Sequence, residues 1–209
     1  FMKLYLSSEG VPRPDLLKEL LGISSATPKV ALINNAQDPY PENIARERGK
    51  ALTMLFQSLG FQTLDIDLRK YTEKTDQLTD ELRSCQLIWC SGGNAFWLRY
   101  VMKTSGFDKI IKPLLTTGIV YGGWSAGVVV VGPSLHPIEL MDDPNKAPEI
   151  IWDGLRLIDF FIWPHWDKEK YLPLQREASM RMKELQYKLV TLHDGEALII
   201  ENNQVRLVK

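Results

Sequence analysis

The sequence contains little cysteine and no excess of either charge. Its 209 residues include 2 cysteines, Cys85 and Cys90, which lie in or beside one predicted strand and are too close along an extended segment for an easy disulfide. A reduced, cytoplasmic setting is therefore expected, with Cys90 as a core residue. Lys and Arg together number 25 and Asp and Glu 26, without a basic block. This balance argues against a nucleic-acid partner.

Long apolar runs are also missing. No apolar stretch reaches the length that a membrane span requires, so no membrane partner is expected. Residues 2–6 are followed at once by polar residues, a pattern unlike a signal peptide. Composition is that of an ordinary globular protein, and nothing marks a linker. We therefore expect a single α/β domain over residues 1–209.

Strand-like and helix-like segments alternate along the first 125 residues. The predicted strands are 3–6, 30–33, 61–66, 86–90 and 119–121, and the predicted helices are 15–21, 41–59, 75–83, 95–103 and 107–115. Such alternation predicts a mostly parallel sheet in a three-layer α/β fold, with helices on both faces.

The last 60 residues carry a weaker pattern. Segments 155–162 and 189–192 are candidate strands, separated by a predicted helix over 168–187. Segments 197–200 and 204–208 predict a closing hairpin across Asn202-Asn203, because asparagine tolerates the turn conformation.

The most informative motif is Gly123-Trp124-Ser125-Ala126-Gly127, between two apolar runs. It has the G-x-S-x-G pattern of a nucleophile elbow, in which a serine lies on a sharp strand-to-helix turn. The glycines allow strand and helix to approach closely. Ser125 is thus the predicted nucleophile, and the amide of Ala126 can donate to a developing oxyanion. The alternative is a structural glycine-rich turn with an uninvolved serine.

A serine nucleophile needs a base, and the chain has 3 histidines. His165 follows an apolar segment, in the kind of strand-end loop that forms the functional edge of a parallel sheet. His136 lies in a proline-bracketed loop, and His193 resembles a turn residue. His165 is the predicted base, with His136 as the second choice.

The acid that would orient the histidine is less defined. We sought it between Ser125 and His165. That interval holds six carboxylates: Glu139, Asp142, Asp143, Glu149, Asp153 and Asp159. The residues alone do not rank them.

A second glycine turn, Ser91-Gly92-Gly93-Asn94, also ends a strand and opens a helix. Gly93 can supply a second oxyanion amide beside Ala126. Phosphate binding is disfavoured, because neither a Walker lysine nor a complete G-x-G-x-x-G pattern follows.

Three segments together resemble the peptidase E family of serine peptidases: residues 91–96, the elbow at 123–127, and Pro164-His165. The resemblance implies a fold like class I glutamine amidotransferases (flavodoxin-like) and a triad in the chain order serine, acid, histidine. It implies Ser125 as nucleophile, His165 as base, and the amides of Gly93 and Ala126 as oxyanion hole. The family's acid is expected in the loop after the elbow helix, where Glu139 lies nearest, with Asp142 and Asp143 left open.

Substrate contacts are predicted less firmly. Asn94, in the second glycine turn, is one candidate. Aspartyl dipeptidases of the family carry an arginine after the catalytic histidine that pairs with the aspartyl carboxylate. Here Arg176 is the nearest candidate and Arg181 the second, but the surrounding motif is absent. Strict specificity for amino-terminal aspartate is therefore not expected.

The sequence thus predicts a cytoplasmic serine peptidase for short peptides, working through an acyl-enzyme without metal or cofactor, as a monomer or homodimer. Two alternatives stay open. One is an esterase or amidase that uses the same serine chemistry. The other is a catalytically silent module that binds a peptide or metabolite through the glycine amides.

Overall fold

A computed structural model describes residues 2–22, 27–202 and 204–209. Its centre is a seven-stranded sheet in the order β3-β2-β4-β5-β1-β8-β9. The pairs β1–β5, β5–β4, β4–β2 and β2–β3 are parallel, whereas β8 and β9 join antiparallel to the β1 edge. This mostly parallel α/β sheet confirms the predicted fold class.

The elements have the following bounds. The strands are β1 (Lys3–Ser7), β2 (Lys29–Ile33), β3 (Gln62–Ile66), β4 (Leu87–Cys90), β5 (Val120–Trp124), β6 (Phe161–Trp163), β7 (Leu189–Thr191), β8 (Ala197–Glu201) and β9 (Gln204–Val208). The α-helices are α1 (Pro14–Leu21), α2 (Glu42–Ser58), α3 (Thr75–Arg83), α4 (Ala95–Thr104), α5 (Phe107–Thr116), α6 (Ala126–Val129) and α7 (Leu172–Glu184).

Two hydrophobic layers enclose the sheet because side chains alternate along each strand. On β1, Leu4 and Leu6 join the layer that contains α3, α4 and α5, whereas Tyr5 joins the layer that contains α1 and α2. The buried strands β1, β2, β4 and β5 therefore read as continuous apolar runs. The free thiol of Cys90 lies in this core, and burial raises its pKa to about 12.

The C-terminal third differs from the sequence prediction in two places. Of the predicted strand 155–162 only its end is a strand, β6, which pairs in parallel with β7 in a separate two-stranded sheet. The preceding apolar residues instead turn back over the elbow helix, where Leu155 N–H donates to Val130 O and Leu157 N–H to Val131 O. Burial, not strand pairing, explains their apolar character.

The second difference concerns the predicted helix 168–187. It is divided into a short 3₁₀ turn at Glu169–Tyr171 and the helix α7. Pro173 lies at the start of α7, a position where the missing N–H of proline costs no hydrogen bond. The closing hairpin of β8 and β9 is present as predicted, although Asn203 of its turn lies outside the described residues. Among the described helices, none is long and apolar enough to cross a membrane.

Candidate active site

The turn between β5 and α6 holds Ser125 in an unusual backbone conformation. Its φ is 50° and its ψ is −115°, outside the regions that non-glycine residues normally occupy. Such strain persists only where the surrounding structure enforces it, and it is typical of functional sites. Strand, strained serine and helix follow one another as the nucleophile-elbow motif requires.

The two glycines of the elbow permit its contact with β4. A Cβ on Gly127 would lie 2.2 Å from the carbonyl oxygen of Cys90, and one on Gly123 would lie 2.8 Å from that same oxygen. The elbow can therefore lie against the end of β4 only with glycine at both positions. This contact brings Ser125 close to the turn that follows β4.

That following turn, residues 91–94, faces the serine. A Cβ on Gly92 would lie 2.9 Å from Cβ of Ser125. Gly93 has a φ of 145°, and a Cβ there would lie 2.1 Å from the carbonyl oxygen of Ala36. Within the described part of the chain, the amides of Gly93 and Ala126 donate to no other residue. Both residues line the same cavity as Ser125.

His165 approaches this edge of the sheet from the loop after β6. It has a φ of 56° and is 8% exposed. Its backbone N–H donates to Ser8 Oγ, 2.7 Å away at the end of β1. Its imidazole Nδ1 lies 2.6 Å from Oδ1 of Asp194. The ring is therefore fixed at one nitrogen by a carboxylate, the arrangement that selects a tautomer and supports a positive charge on the ring.

Asp194 lies in the turn between β7 and β8 and is itself held by several donors. Ser8 Oγ donates to Oδ1 at 2.8 Å, and Lys168 Nζ lies 2.9 Å from Oδ2. Burial opposes ionisation of Asp194, but the hydrogen bonds from Lys168, Ser8 and His165 outweigh it and hold the pKa of this carboxyl well below its usual value. Asp194 is thus a charged partner for His165 at neutral pH.

The predicted position of Glu139 is wrong. Its Oε1 lies 3.1 Å from Nδ1 of His136 and 2.5 Å from Nη1 of Arg181, so it contacts a different histidine. The carboxylate beside His165 is instead that of Asp194. The search between Ser125 and His165 could not find it, because the carboxylate follows the histidine by 29 residues.

The remaining sequence candidates lie elsewhere. His136 stacks on Trp152, with ring centroids 3.9 Å apart, and His193 is exposed, so of the 3 histidines only His165 lines the cavity of Ser125. Among the other predicted carboxylates, four lie outside that cavity: Asp143, Glu149, Asp153 and Asp159. Asp142 lines it but accepts its hydrogen bond from the amide of Ala95.

The cavity around Ser125 has a volume of about 520 Å³. Its charged lining residues are Glu9, Arg48, Asp142, Lys168 and Lys170. Arg48 is tied to the glycine turn, because its Nη1 donates to Gln37 Oε1 at 2.6 Å and Gln37 in turn donates to Gly92 O. A pocket of this size suits a small ligand better than a folded protein chain.

The predicted substrate-binding residues do not line this cavity. Asn94 is buried and caps α4: its Oδ1 accepts from Trp97 N–H at 2.9 Å and its Nδ2 donates to Asp143 O at 3.0 Å. Arg176 is exposed on α7 and lies outside the cavity lining. Arg181 pairs with Glu139 and Glu177. The structure therefore gives none of the three the predicted contact.

The imidazole of His165 and two carboxylates beside it form a group that could bind a cation. The ligand atoms of Glu9, His165 and Asp194 all lie within 4.8 Å of one another. Lys168 Nζ already lies between two of them, 3.3 Å from Glu9 Oε2 and 2.9 Å from Asp194 Oδ2. The ammonium group of Lys168 thus supplies the positive charge that a metal would bring to these carboxylates.

One sequence signal could have located Asp194. The carboxyl ends of parallel strands meet at one edge of a sheet. Because β6 and β7 are parallel neighbours, the loops that follow them, with His165 and Asp194, must lie side by side. The strand at 189–192 was predicted, but its pairing with the strand before His165 was not.

A serine on a strained elbow lines one cavity together with a carboxylate-bound imidazole and two available amides, an arrangement typical of serine hydrolases. The chain belongs to peptidase family S51, whose family model matches residues 7–208. It is a serine-type peptidase, as the resemblance to peptidase E predicted.

Individual relatives agree with this assignment. An uncharacterized peptidase of Listeria monocytogenes is 31% identical over 156 residues, which cover 73% of this chain and 70% of the relative. A peptidase E of Nostoc sp. is 25% identical over 92% of this chain and 76% of its own length. A probable alpha-aspartyl dipeptidase of Drosophila melanogaster is 35% identical over 49% of this chain and 39% of its own length.

Solved structures agree with the fold. A crystal structure from Listeria monocytogenes, of a protein described as a candidate peptidase E, superposes with a TM-score of 0.83 at 27% identity and covers 100% of this chain and 98% of its own. The structure of a peptidase from an acI-B1 actinobacterium has a TM-score of 0.74 at 18% identity, covering 99% and 87% of the two chains. The second similarity is one of fold alone.

Proposed function

We propose that this chain is a dipeptidase-like serine peptidase, in which Ser125, His165 and Asp194 form the catalytic triad. The observation that carries the proposal is the contact of 2.6 Å between His165 Nδ1 and Asp194 Oδ1, at the edge of the cavity that Ser125 also lines. With Nδ1 committed to the carboxylate, Nε2 is the ring nitrogen left to accept the serine proton.

The reaction proceeds in two halves. Ser125 Oγ attacks the scissile carbonyl carbon while His165 Nε2 accepts the hydroxyl proton, and the carbonyl oxygen becomes an oxyanion bound by the amides of Gly93 and Ala126. The tetrahedral intermediate collapses when the imidazolium gives its proton to the leaving amine, which produces an acyl-enzyme. Water then attacks the ester with His165 again as base, and Ser125 recovers its proton.

Each supporting residue has a role in this scheme. Asp194 stabilises the imidazolium that forms twice in the cycle, and it does not itself take up the proton. Ser8 joins the backbone of His165 to the carboxylate of Asp194 and so fixes their relative position. The strained backbone of Ser125 holds the residue on the turn that lines the cavity.

Short peptides are the proposed substrates. The cavity volume of about 520 Å³ accommodates a few residues at most. The relative named as a probable alpha-aspartyl dipeptidase supports the same substrate class. Membership of a peptidase family disfavours both alternatives from the sequence, the silent binding module and the esterase or amidase.

Covalent labelling tests the proposal. A fluorophosphonate should react with the wild-type chain, and peptide mass mapping should place the adduct on Ser125. Ser125→Ala should lose both labelling and peptide hydrolysis and keep its thermal unfolding temperature. Cys90→Ser is a control for reaction at a nucleophile outside the site, and it should label like the wild type. Labelling at another residue, or activity of Ser125→Ala within tenfold of wild type, contradicts the assignment.

A further inference from the structure

The catalytic cavity contains one carboxylate that the proposed mechanism does not use. Asp142 lines the cavity together with Ser125 and His165. Its Oδ2 accepts a hydrogen bond of 2.8 Å from the amide of Ala95, and its Oδ1 accepts none from the described residues. Oδ1 is not fully buried, so it remains accessible to a hydrogen-bond donor from a ligand.

Charge pairing sets Asp142 apart from the other carboxylate in the lining. Glu9 forms an ion pair with Lys168, which also binds Asp194. Asp142 has no cationic side chain within ion-pair distance among the residues that the structure describes. The amide end of α4 and the more distant charge of Lys170 offset only part of the cost of burying this carboxylate, and a ligand cation would offset more of it. A cationic group of the substrate would complete this site.

The chain connection between Gly93 and Ala95 sets an upper limit on the distance between Asp142 and the oxyanion amide of Gly93. Gly93, whose amide is assigned to the oxyanion, is separated from Ala95 by one residue. Two residues span at most about 7 Å, so the Asp142 carboxylate lies within roughly 10 Å of the Gly93 amide. In an amino-terminal residue three covalent bonds separate the carbonyl oxygen from the α-nitrogen, about 4 Å at most. With a hydrogen bond at each end, such a residue can bridge about 10 Å, the upper limit of the distance between the Gly93 amide and the Asp142 carboxylate.

The loop that carries Asp142 is held in place. Asp142 N–H donates to Ile138 O at 2.9 Å, and Asn94 Nδ2 donates to Asp143 O at 3.0 Å. At the start of α4, Asn94 accepts from Trp97 N–H and Asp142 accepts from Ala95 N–H, so one oxygen of Asp142 is tied to the helix end. Asp142 is thus positioned in advance relative to the glycine turn, which lowers the cost of ordering a ligand.

We infer that Asp142 binds the free α-ammonium group of the peptide substrate and so restricts cleavage to the bond after the amino-terminal residue. This rests on the proposed peptidase function. The carbonyl of the first residue would lie in the oxyanion hole, and its ammonium would bond to Oδ1 of Asp142. Such a charge-assisted hydrogen bond discriminates against a substrate without the amine, because it leaves the carboxylate unpaired.

Three fluorogenic amides of the same amino acid test this inference. One has a free α-amine, one is N-acetylated, and one lacks the amino group. The wild-type enzyme should cleave the free amine with kcat/KM at least a hundredfold above the other two. Asp142→Asn keeps the oxygen that accepts from Ala95, and should lower kcat/KM for the free amine at least thirtyfold while changing the other two less than threefold.

The matched control is Asp143→Asn, a change of the same kind at the exposed neighbouring position outside the cavity lining. This variant should cleave all three amides with the kcat/KM of the wild type. If the wild type cleaves the acetylated amide as well as the free amine, the inference is overturned whether or not the variant folds. Equal loss on all three amides in a folded Asp142→Asn variant also overturns it, because that result indicates a structural role. Fluorophosphonate labelling of Ser125, measured alongside, reports separately whether the proposed function stands.

Discussion

A Cβ on Gly92 would lie 2.9 Å from Cβ of Ser125 and 3.0 Å from Cδ1 of Trp124. The glycine turn and the nucleophile elbow are therefore in direct contact. Contacts this short do not occur between real side chains, so any larger residue must displace the serine or its neighbouring tryptophan. The position of the nucleophile depends on a glycine that is not part of the elbow motif.

Gly92→Ala should therefore impair catalysis more than stability. The added methyl moves Ser125 relative to the oxyanion amides, and a displacement of about 1 Å can cost a hundredfold in rate. We expect kcat/KM to fall at least thirtyfold and fluorophosphonate labelling to slow at least tenfold. Thermal unfolding of the variant serves as the control for folding. Unchanged labelling would mean that the turn moves away without affecting Ser125.

Asp142 makes a prediction for stability as well as for specificity. Burial raises its pKa to about 6, against an ordinary value of 3.8, although the Ala95 hydrogen bond and the charge of Lys170 partly oppose the shift. Between these pH values the folded chain binds more protons than the unfolded chain, so the free energy of unfolding falls as the pH rises from about 4 to 6. Above pH 6 the full cost of the charged carboxylate is present.

Asp142→Asn should thus stabilise the chain at pH 7.5, by up to about 3 kcal/mol, and should have little effect at pH 4. Urea unfolding at the two pH values measures this difference, with Asp143→Asn as the control that should show none. A variant that is less stable than wild type at pH 7.5 would indicate that the negative charge of Asp142 stabilises the fold.

The arginines of α7 allow a prediction about specificity for amino-terminal aspartate. Arg176 is exposed outside the cavity, and Arg181 is paired with Glu139 and Glu177. Neither arginine lines the cavity of Ser125. Arg176→Ala and Arg181→Ala should both leave the ratio of Asp-Leu to Ala-Leu hydrolysis within threefold of wild type, and that ratio should stay below about a thousandfold. A higher ratio that either variant abolishes would contradict the prediction.

The sequence predicted the parts of the molecule that depend on local patterns. The parallel strands, the elbow at Ser125 and the hairpin of β8 and β9 follow from apolar alternation and turn residues, which are legible in short windows. The family resemblance then supplied the activity, which the family match bears out.

The parts that failed depend on contacts between distant segments. Asp194 lies beside His165 only because β6 and β7 pair, and a three-residue strand carries too little pattern to indicate its partner. Glu139 was favoured because the family resemblance placed the acid in the loop after the elbow helix, but Arg181 and His136 bind its carboxylate instead. The orientation of a carboxylate is set by such partners, which no local pattern describes.

The central claim is that Asp194, and not Glu139, orients His165. Steady-state kinetics of Asp194→Asn and Glu139→Gln on the same dipeptide test it most directly, because both changes keep side-chain shape and remove one charge. In a serine triad the loss of this charge costs roughly ten-thousandfold in kcat. We predict a loss of that order for Asp194→Asn, with KM changed little, and less than tenfold for Glu139→Gln. The reverse order, with Glu139→Gln the more damaging of two folded variants, would contradict the account.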